Sequence, residues 1–280
     1  ANTSRNVVVS TTGIIYVLYA NSNEVRLAKS LNSGQSFEPS ILVANANDTE
    51  PEIAVSESGV VYVAWIESGS LFFARSIDEG DTFSAPTLID NSSAESVHMS
   101  SFGDNVYLIE RDGTEVYYND NEGEGAFNST PTGISMIYAD VLTDLNGFVY
   151  APMDNPTLRL FESVDQGNTL TETPLNPSSA SVFFSSYALS DGPCGTFIFV
   201  GGSGSVGYKI DVTTGNASQI NLGNNNSTSE GRTLYADNKG TFIDGYKNSS
   251  GELLMNVSSD QGENFGPTII VSTTGFSHNI

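Results

Sequence analysis

The hydrophobic residues of this chain occur in short runs separated by polar turns. Residues 51–90 show the pattern most clearly, as PEIAVSE, VVYVAWIE, SLFFARS and APTLID. Runs of this length that are rich in Val, Ile, Tyr and Phe and are bounded by turn residues predict β-strands. No window of useful length places apolar residues at the helical spacing i, i+3, i+4, i+7. The pattern therefore predicts an all-β protein.

The strand pattern repeats along the whole chain, and a glycine-containing octet marks each repeat. Clear copies are SLNSGQSF (30–37), SIDEGDTF (76–83), SVDQGNTL (163–170) and SSDQGENF (258–265); weaker copies are NDNEGEGAF (119–127) and IDVTTGNA (210–217). Their glycines lie at positions 34, 80, 123, 167, 215 and 262, so successive repeats are 43 to 48 residues apart. Four strands in a unit of this length match one blade of a β-propeller.

We therefore predict that residues 1–280 form one six-bladed β-propeller with four antiparallel strands per blade. The predicted blades span approximately residues 1–45, 46–92, 93–133, 134–178, 179–228 and 229–280. Each octet lies between the third and fourth strands, and all octets are expected on one face. The chain is expected to begin on the innermost strand of the first blade and to end on the outermost strand of the last. A β-sandwich or a solenoid is the competing fold.

The octet is interpreted as a turn. Its glycine supplies a residue with positive φ, and its aspartate accepts hydrogen bonds from the backbone N–H groups of the same turn. The first copy has asparagine in place of aspartate, which argues against catalysis or calcium binding at this position. The residues assigned to structural turns are Asn32, Gly34, Asp78, Gly80, Asp165, Gly167, Asp260 and Gly262.

The octets resemble the Asp-box (BNR) repeat of the sialidase-like β-propellers, and the resemblance extends over the whole chain at the level of blades. Four copies match the S-x-D-x-G-x-[ST]-F pattern well and two are degenerate. The resemblance implies that the octets lie on the face opposite the family's active site. Because the repeat also occurs in lectins, receptor ectodomains and assembly factors, it identifies a scaffold rather than an activity.

Residues on the opposite face are the candidates for ligand binding. Alignment of the blades on Val61-Tyr62, Val106-Tyr107 and Val149-Tyr150 places Arg5 and Arg232 at the starts of first strands, with Glu52 and His98 close by. Two converging arginines can hold a carboxylate or an acidic sugar. Resemblance to active sialidases further implies three arginines, a Tyr/Glu nucleophile pair and an Asp acid. The third arginine and the nucleophile pair have no match here, so we predict a non-catalytic member with no catalytic residues.

Composition narrows the range of partners. The chain has 33 acidic and 10 basic residues and a net charge of -23, which disfavours nucleic acids and anionic membranes. No apolar stretch reaches the length of a membrane-spanning helix, so no membrane insertion is expected. The histidines, His98 and His278, are too few and too far apart for a zinc site. We expect no metal and no cofactor, with calcium near Asp112 or Asp154 as a weaker alternative.

The first residue and the glycosylation sequons favour a secreted or cell-surface protein, whereas the cysteine content bears only on disulfides. Cys194 is the single cysteine, so the chain has no internal disulfide. The first residue is Ala1, which is compatible with removal of a signal peptide. Asn-x-Ser/Thr sequons, which are acceptors for N-glycosylation, occur at Asn2, Asn47, Asn91, Asn128, Asn216, Asn225, Asn226, Asn248 and Asn256.

These observations predict a non-catalytic propeller that acts as a binding, adhesion or structural module, with a glycan or a protein as partner. The alternative is a divergent sialidase-like glycoside hydrolase. A third interpretation is a subunit of an extracellular assembly. A basic central pocket would favour the hydrolase or a lectin for acidic glycans, whereas an acidic axis or one plugged by apolar residues would favour the binding module.

Overall fold

The structure is a computed structural model, and every regular element in it is a β-strand. It describes residues 6–21, 23–47, 50–91, 93–111, 113–135, 138–154, 157–177, 186–192, 195–202, 204–225 and 232–273. Within these ranges no residue is helical, so they contain no helix able to cross a membrane.

The strands form six antiparallel sheets, and each sheet lies within one of the six predicted segments. Blade 1 has β1 (Val7–Val9), β2 (Ile15–Asn21), β3 (Glu24–Ser30) and β4 (Ile41–Asn45); blade 2 has β5 (Glu52–Val55), β6 (Val61–Glu67), β7 (Ser70–Ser76) and β8 (Thr87–Asp90); blade 3 has β9 (Val97–Phe102), β10 (Asn105–Glu110), β11 (Glu115–Asn119) and β12 (Asn128–Pro131). Blade 4 has β13 (Tyr138–Ala139), β14 (Leu142–Thr143), β15 (Val149–Asp154), β16 (Leu158–Ser163) and β17 (Thr171–Thr173); blade 5 has β18 (Ser186–Gly192), β19 (Gly195–Gly201), β20 (Gly204–Asp211) and β21 (Ala217–Asn225); blade 6 has β22 (Arg232–Ala236), β23 (Phe242–Lys247), β24 (Leu253–Ser258) and β25 (Ile269–Ser272).

The six-bladed propeller predicted from the sequence is confirmed. Strands pair with their neighbours in chain order within every sheet, and the innermost strand of blade 4 is divided into β13 and β14. The chain enters blade 1 on β1 and leaves blade 6 on β25, as predicted. Because all blades share this order, the octets lie on one face, called here the octet face. The loops between second and third strands lie on the opposite face.

The core consists of apolar layers between neighbouring blades. Side chains alternate along each strand, so a middle strand such as β6 sends one set toward the preceding blade and one toward the following blade, and both sets are buried. Five hydrophobic clusters fill the junctions from blade 1 to blade 6. Trp65, at 1% exposure, belongs to the junction of blades 1 and 2. Burial at these junctions is the main force that assembles the ring.

The junction between blades 6 and 1 differs from the other five. Ile243 and Val257 of blade 6, together with Ile15 and Val17 of blade 1, are only half-buried. Among the described residues, no cluster of buried hydrophobic side chains joins these two blades. As far as the described residues show, the junction that closes the ring is therefore less buried than the other five.

Candidate functional site

The octet of blade 2 forms a closely hydrogen-bonded turn. The Ser76 hydroxyl donates to Asp78 Oδ1 at 2.6 Å and accepts the Gly80 N–H at 2.9 Å. Asp78 accepts the backbone N–H of Thr82 at 2.9 Å and its hydroxyl at 2.6 Å. The octet that contains Asp165 repeats these contacts, and in the octet of Asp260 the Asn264 side-chain amide donates in place of the threonine hydroxyl. Asn32 forms the same turn in blade 1, so the turn does not require the negative charge.

The glycine of each octet has positive φ, as the sequence predicts. Gly80 has φ 81° and the preceding Glu79 has φ 57°, so two consecutive residues are left-handed. The same pair of conformations occurs in the octets of blades 1, 3, 4 and 6. Blade 5 differs, because only Gly215 has positive φ and the chain reverses in a short hairpin in which Asp211 accepts the N–H groups of Thr213 and Thr214.

Each octet from blade 2 onward also packs against the preceding blade, a contact that the octet sequences alone do not predict. A Cβ on Gly80 would lie 2.8 Å from Leu27 Cδ2 and 3.3 Å from Tyr16 Cε1, both in blade 1. The equivalent contacts place Gly123 on Tyr62, Gly167 on Tyr107 and Gly262 on Phe199. Two of these partners, Tyr62 and Tyr107, belong to the Val-Tyr pairs of the second strands, which are the sequence signal for this packing.

Basic residues strengthen these junctions. Lys29, which directly precedes the octet of blade 1, donates to the Glu79 carbonyl at 3.3 Å and pairs with Asp81. Arg75, in the equivalent position of blade 2, donates to the Glu122 carbonyl of blade 3 at 3.0 Å. Lys209 of blade 5 pairs with Glu263 of blade 6 at 2.8 Å. Three of the few basic residues are therefore used to hold blades together.

Hydrogen bonding stabilises the charged form of the octet aspartates. The pKa of Asp78 is lowered to about 2, first by the Ser76 hydroxyl and then by the Thr82 hydroxyl. The pKa of Asp260 is likewise lowered to about 2, first by Ser258. The backbone N–H of Thr169 is the main cause of the lowered pKa of Asp165. Carboxylates held ionised in this way are suited to clasping a turn and poorly suited to donating a proton.

Glu52 and His98 lie together between blades 2 and 3, as the alignment placed them. Glu52 Oε1 is 2.9 Å from His98 Nδ1, and Glu52 Oε2 accepts the Met99 N–H at 2.6 Å. Glu52 is fully buried and His98 is 6% exposed. The pair joins two innermost strands, and its role in ligand binding stays a prediction.

Arg232 lies at the start of its first strand but is enclosed by the fold. Its guanidinium pairs with Asp244 and donates to the carbonyls of Gly202, Gly204 and Gly223. Burial lowers the pKa of Arg232 and raises that of Asp244, while their mutual attraction opposes both shifts. A ligand could contact this guanidinium only by displacing these partners, so the contacts do not support the predicted ligand-binding role. Arg5 lies outside the described residues.

The centre of the ring contains a cavity of about 540 Å³ lined by the innermost strands. Val7, Val9 and Tyr235 are more than half exposed there, and Ser100 and Thr143 contribute hydroxyl groups. No charged side chain occurs among the described residues that line this cavity. Each innermost strand pairs on one side only within its sheet, so its other edge borders the cavity.

The predicted modification and metal positions differ in accessibility. Asn47, Asn91, Asn128 and Asn216 are exposed and Asn248 is half-buried, whereas Asn256 is 8% exposed and donates to Asp244, leaving no room for a glycan. Asn2, Asn226 and the side chain of Asn225 lie outside the described part of the chain, as does Asp112. Asp154 is buried, and the described residues contain no group of three or more potential metal ligands.

Comparison with known proteins finds similarity in fold alone. No protein-family model matches the chain, and no curated protein sequence matches it. A chain of the mitotic checkpoint complex is 11% identical with a TM-score of 0.65, covering 96% of this chain and 78% of that one. A polysaccharide lyase of family PL25, an ulvan lyase, is 10% identical with a TM-score of 0.62, covering 96% and 84%. YCF48 bound to D1 peptide is 15% identical with a TM-score of 0.61, covering 94% and 82%.

Proposed function

We propose that this protein is a secreted or cell-surface, non-catalytic propeller of the Asp-box type that binds a protein partner at its central cavity. The structural neighbours include both a peptide-bound protein and a polysaccharide lyase, so the fold admits binding and catalysis alike. The choice between them therefore rests on the chemistry of the cavity.

The observation that carries the proposal is that the described residues lining the cavity carry no charge and place exposed apolar side chains beside hydroxyl groups. Orienting the carboxylate of a sialoside requires cationic side chains, and cleaving the sugar bond requires positioned acids and nucleophiles. The cavity instead presents Val7, Val9 and Tyr235 beside hydroxyl groups and strand edges. Exposed apolar side chains beside hydroxyl groups suit a polypeptide segment that carries apolar residues.

Charge favours a partner that is neutral or basic overall. The chain carries a net charge of -23, and Lys29, Arg75 and Lys209 are bound within blade junctions. Complementary charge accelerates association, and similar charge suppresses it. We infer that acidic proteins and nucleic acids are rejected. If the partner stays bound permanently, the protein is a subunit of an extracellular assembly, which is the third interpretation given above.

Binding to an immobilised library of random peptides tests the proposal. We expect the wild-type protein to retain peptides that combine apolar and basic residues. Tyr235→Asp places a charge in the cavity and should abolish retention. Leu88→Asp is the matched control, because Leu88 is 52% exposed and Tyr235 is 53% exposed, but Leu88 lies on the outermost strand of blade 2. Equal retention by wild type and Tyr235→Asp would contradict the proposal.

A further inference from the structure

A second cavity lies away from the axis, on the opposite face between blades 2 and 3. Its volume is about 360 Å³, and its polar side chains are Glu50, Ser68, Glu95, Ser96 and Arg111. Ile66 and Gly69 complete the lining. The loops that follow β6 and β10 and the segments that precede β5 and β9 form its walls. We refer to it as the off-axis cleft.

The walls of the off-axis cleft are held together by backbone hydrogen bonds. The Gly69 carbonyl accepts the N–H groups of Ser93 and Ala94, both at 3.0 Å. The Ser96 carbonyl accepts the Arg111 N–H at 2.9 Å. A Cβ on Gly69 would lie 3.2 Å from Ser93 Cα, so the two segments are in close contact. The cleft is therefore formed before any ligand binds, which lowers the entropic cost of binding.

Arg111 is fixed in the cleft but incompletely hydrogen-bonded. Its guanidinium carbon lies 4.9 Å from the centre of the Tyr138 ring, and Nη1 is 3.3 Å from Glu95 Oε2. The Nε atom is buried and has no hydrogen-bond partner among the described residues. Because 29% of the Arg111 side chain is exposed, its terminal N–H groups can still donate to a ligand in the cleft.

The other polar groups of the cleft also have bonding capacity left. The Glu50 carboxylate and the Ser68 and Ser96 hydroxyls make no hydrogen bond to any other described residue. Glu50 is half-buried, so its position is not that of a freely solvated surface carboxylate. The cleft thus combines two carboxylates that accept hydrogen bonds, one guanidinium that donates them and two hydroxyls that can donate or accept.

We propose that the off-axis cleft binds a neutral saccharide. A sugar hydroxyl can donate to a carboxylate and accept from a guanidinium at the same time, so one ring with adjacent hydroxyls can satisfy Glu50, Glu95 and Arg111 together. An anionic ligand would be repelled by the two glutamates, and the adjacent hydroxyls of a sugar match the mixed donors and acceptors of the cleft better than a single cationic group does. The volume accommodates one or two sugar rings. This site is separate from the central cavity and does not depend on the function proposed there.

Saturation-transfer NMR with the methyl glycosides of glucose, galactose, mannose and N-acetylglucosamine tests the proposal. We expect at least one of them to bind with a dissociation constant of about a millimolar, as is usual for a ligand of this size held by hydrogen bonds. Glu50→Gln should weaken binding roughly five- to tenfold by removing a charge-assisted hydrogen bond. This substitution removes no hydrogen bond between described residues, so folding should be unaffected.

Arg111→Met provides the second variant, and Arg159→Met is its matched control. Arg159 also pairs with a glutamate, Glu172, and lies 5.5 Å from the ring centre of Phe161, but it does not line the cleft. We expect Arg111→Met to abolish binding and Arg159→Met to leave it unchanged. Tyr235→Asp should also leave it unchanged, which separates this site from the central cavity.

Three results would overturn the saccharide site. The first is no saturation transfer to any of the four glycosides. The second is transfer that persists undiminished in both Glu50→Gln and Arg111→Met. The third is stronger binding of sialic acid or of N-acetyl-lysine amide, because a charged ligand contradicts the reasoning from the mixed charges of the cleft.

Discussion

Substitution of Gly123 by alanine tests whether the octets join neighbouring blades. Gly123 has φ 71°, and a Cβ there would lie 2.6 Å from Phe73 Cζ and 2.7 Å from Phe73 Cε1 in the preceding blade. Phe73 is 1% exposed, and its ring centre lies 5.9 Å from that of Tyr62 and 5.0 Å from that of Phe127. The ring therefore cannot move away without disturbing the junction of blades 2 and 3.

Gly34→Ala is the matched control for this substitution. Gly34 occupies the same octet position with φ 82°, but its Cβ would meet only Ile15 Cδ1, at 3.6 Å, within its own blade. Left-handed backbone costs a non-glycine residue about 1–2 kcal/mol, and the reduced freedom of the unfolded chain returns about 0.4–1 kcal/mol. Gly123→Ala adds an overpacking cost of about 1–3 kcal/mol. The free energy of unfolding of Gly123→Ala should therefore be about 1–3 kcal/mol lower than that of Gly34→Ala.

Urea unfolding followed by tryptophan fluorescence measures this difference. Trp65 is the single tryptophan and is 1% exposed, so its emission reports the opening of the core next to blade 2. The two variants should show equal dependence of unfolding free energy on urea and different midpoints. Equal midpoints would refute the packing of octets against the preceding blade, because backbone strain alone would then explain both losses.

Two further predictions concern the turn and the ring closure. Because the pKa of Asp78 is lowered to about 2, its ionised form stabilises the fold above about pH 4, and this contribution should disappear as the pH falls toward 2. Asp78→Asn keeps the turn seen at Asn32 but has no charge to lose. In this variant the urea midpoint of unfolding should change less between about pH 4 and pH 2 than in the wild type, and an equal change would contradict the role of the ionised Asp78. In a Cys194→Ser background, Ile243→Cys should react with a thiol reagent faster than Phe199→Cys, since Ile243 is half-buried and Phe199 is fully buried. Equal rates would show that the junction of blades 6 and 1 is as closed as that of blades 5 and 6.

The fold was predictable because its signals are local and repeated. Alternating apolar runs specify strands, and the octet spacing specifies six blades of four strands each. The positive φ at the octet glycines followed from turn chemistry alone. The packing of Gly80 on Tyr16 was missed because it joins residues of different blades, and no local pattern indicates which face of a strand meets its neighbour.

The candidate site was less predictable for a related reason. Alignment placed Arg232 at the start of a first strand, but its burial depends on Asp244 and on three carbonyl groups brought together by blades 5 and 6. The off-axis cleft combines Glu50 with Arg111, which are far apart in the chain and have no shared motif. Arg111 follows the second strand of its blade, β10, and no sequence pattern marks a residue in that position as part of an off-axis site.

Release of a fluorogenic leaving group from an aryl sialoside tests the central claim most directly, because it separates a binding module from a hydrolase. The account predicts no release above the buffer blank, since the described lining of the central cavity has no charged side chain. Arg5→Ala is the informative variant, because removal of Arg232 would leave Asp244 buried without its partner and destabilise the fold. Turnover that is present in the wild type and lost in an Arg5→Ala variant of unchanged melting temperature would contradict the account and identify a glycoside hydrolase.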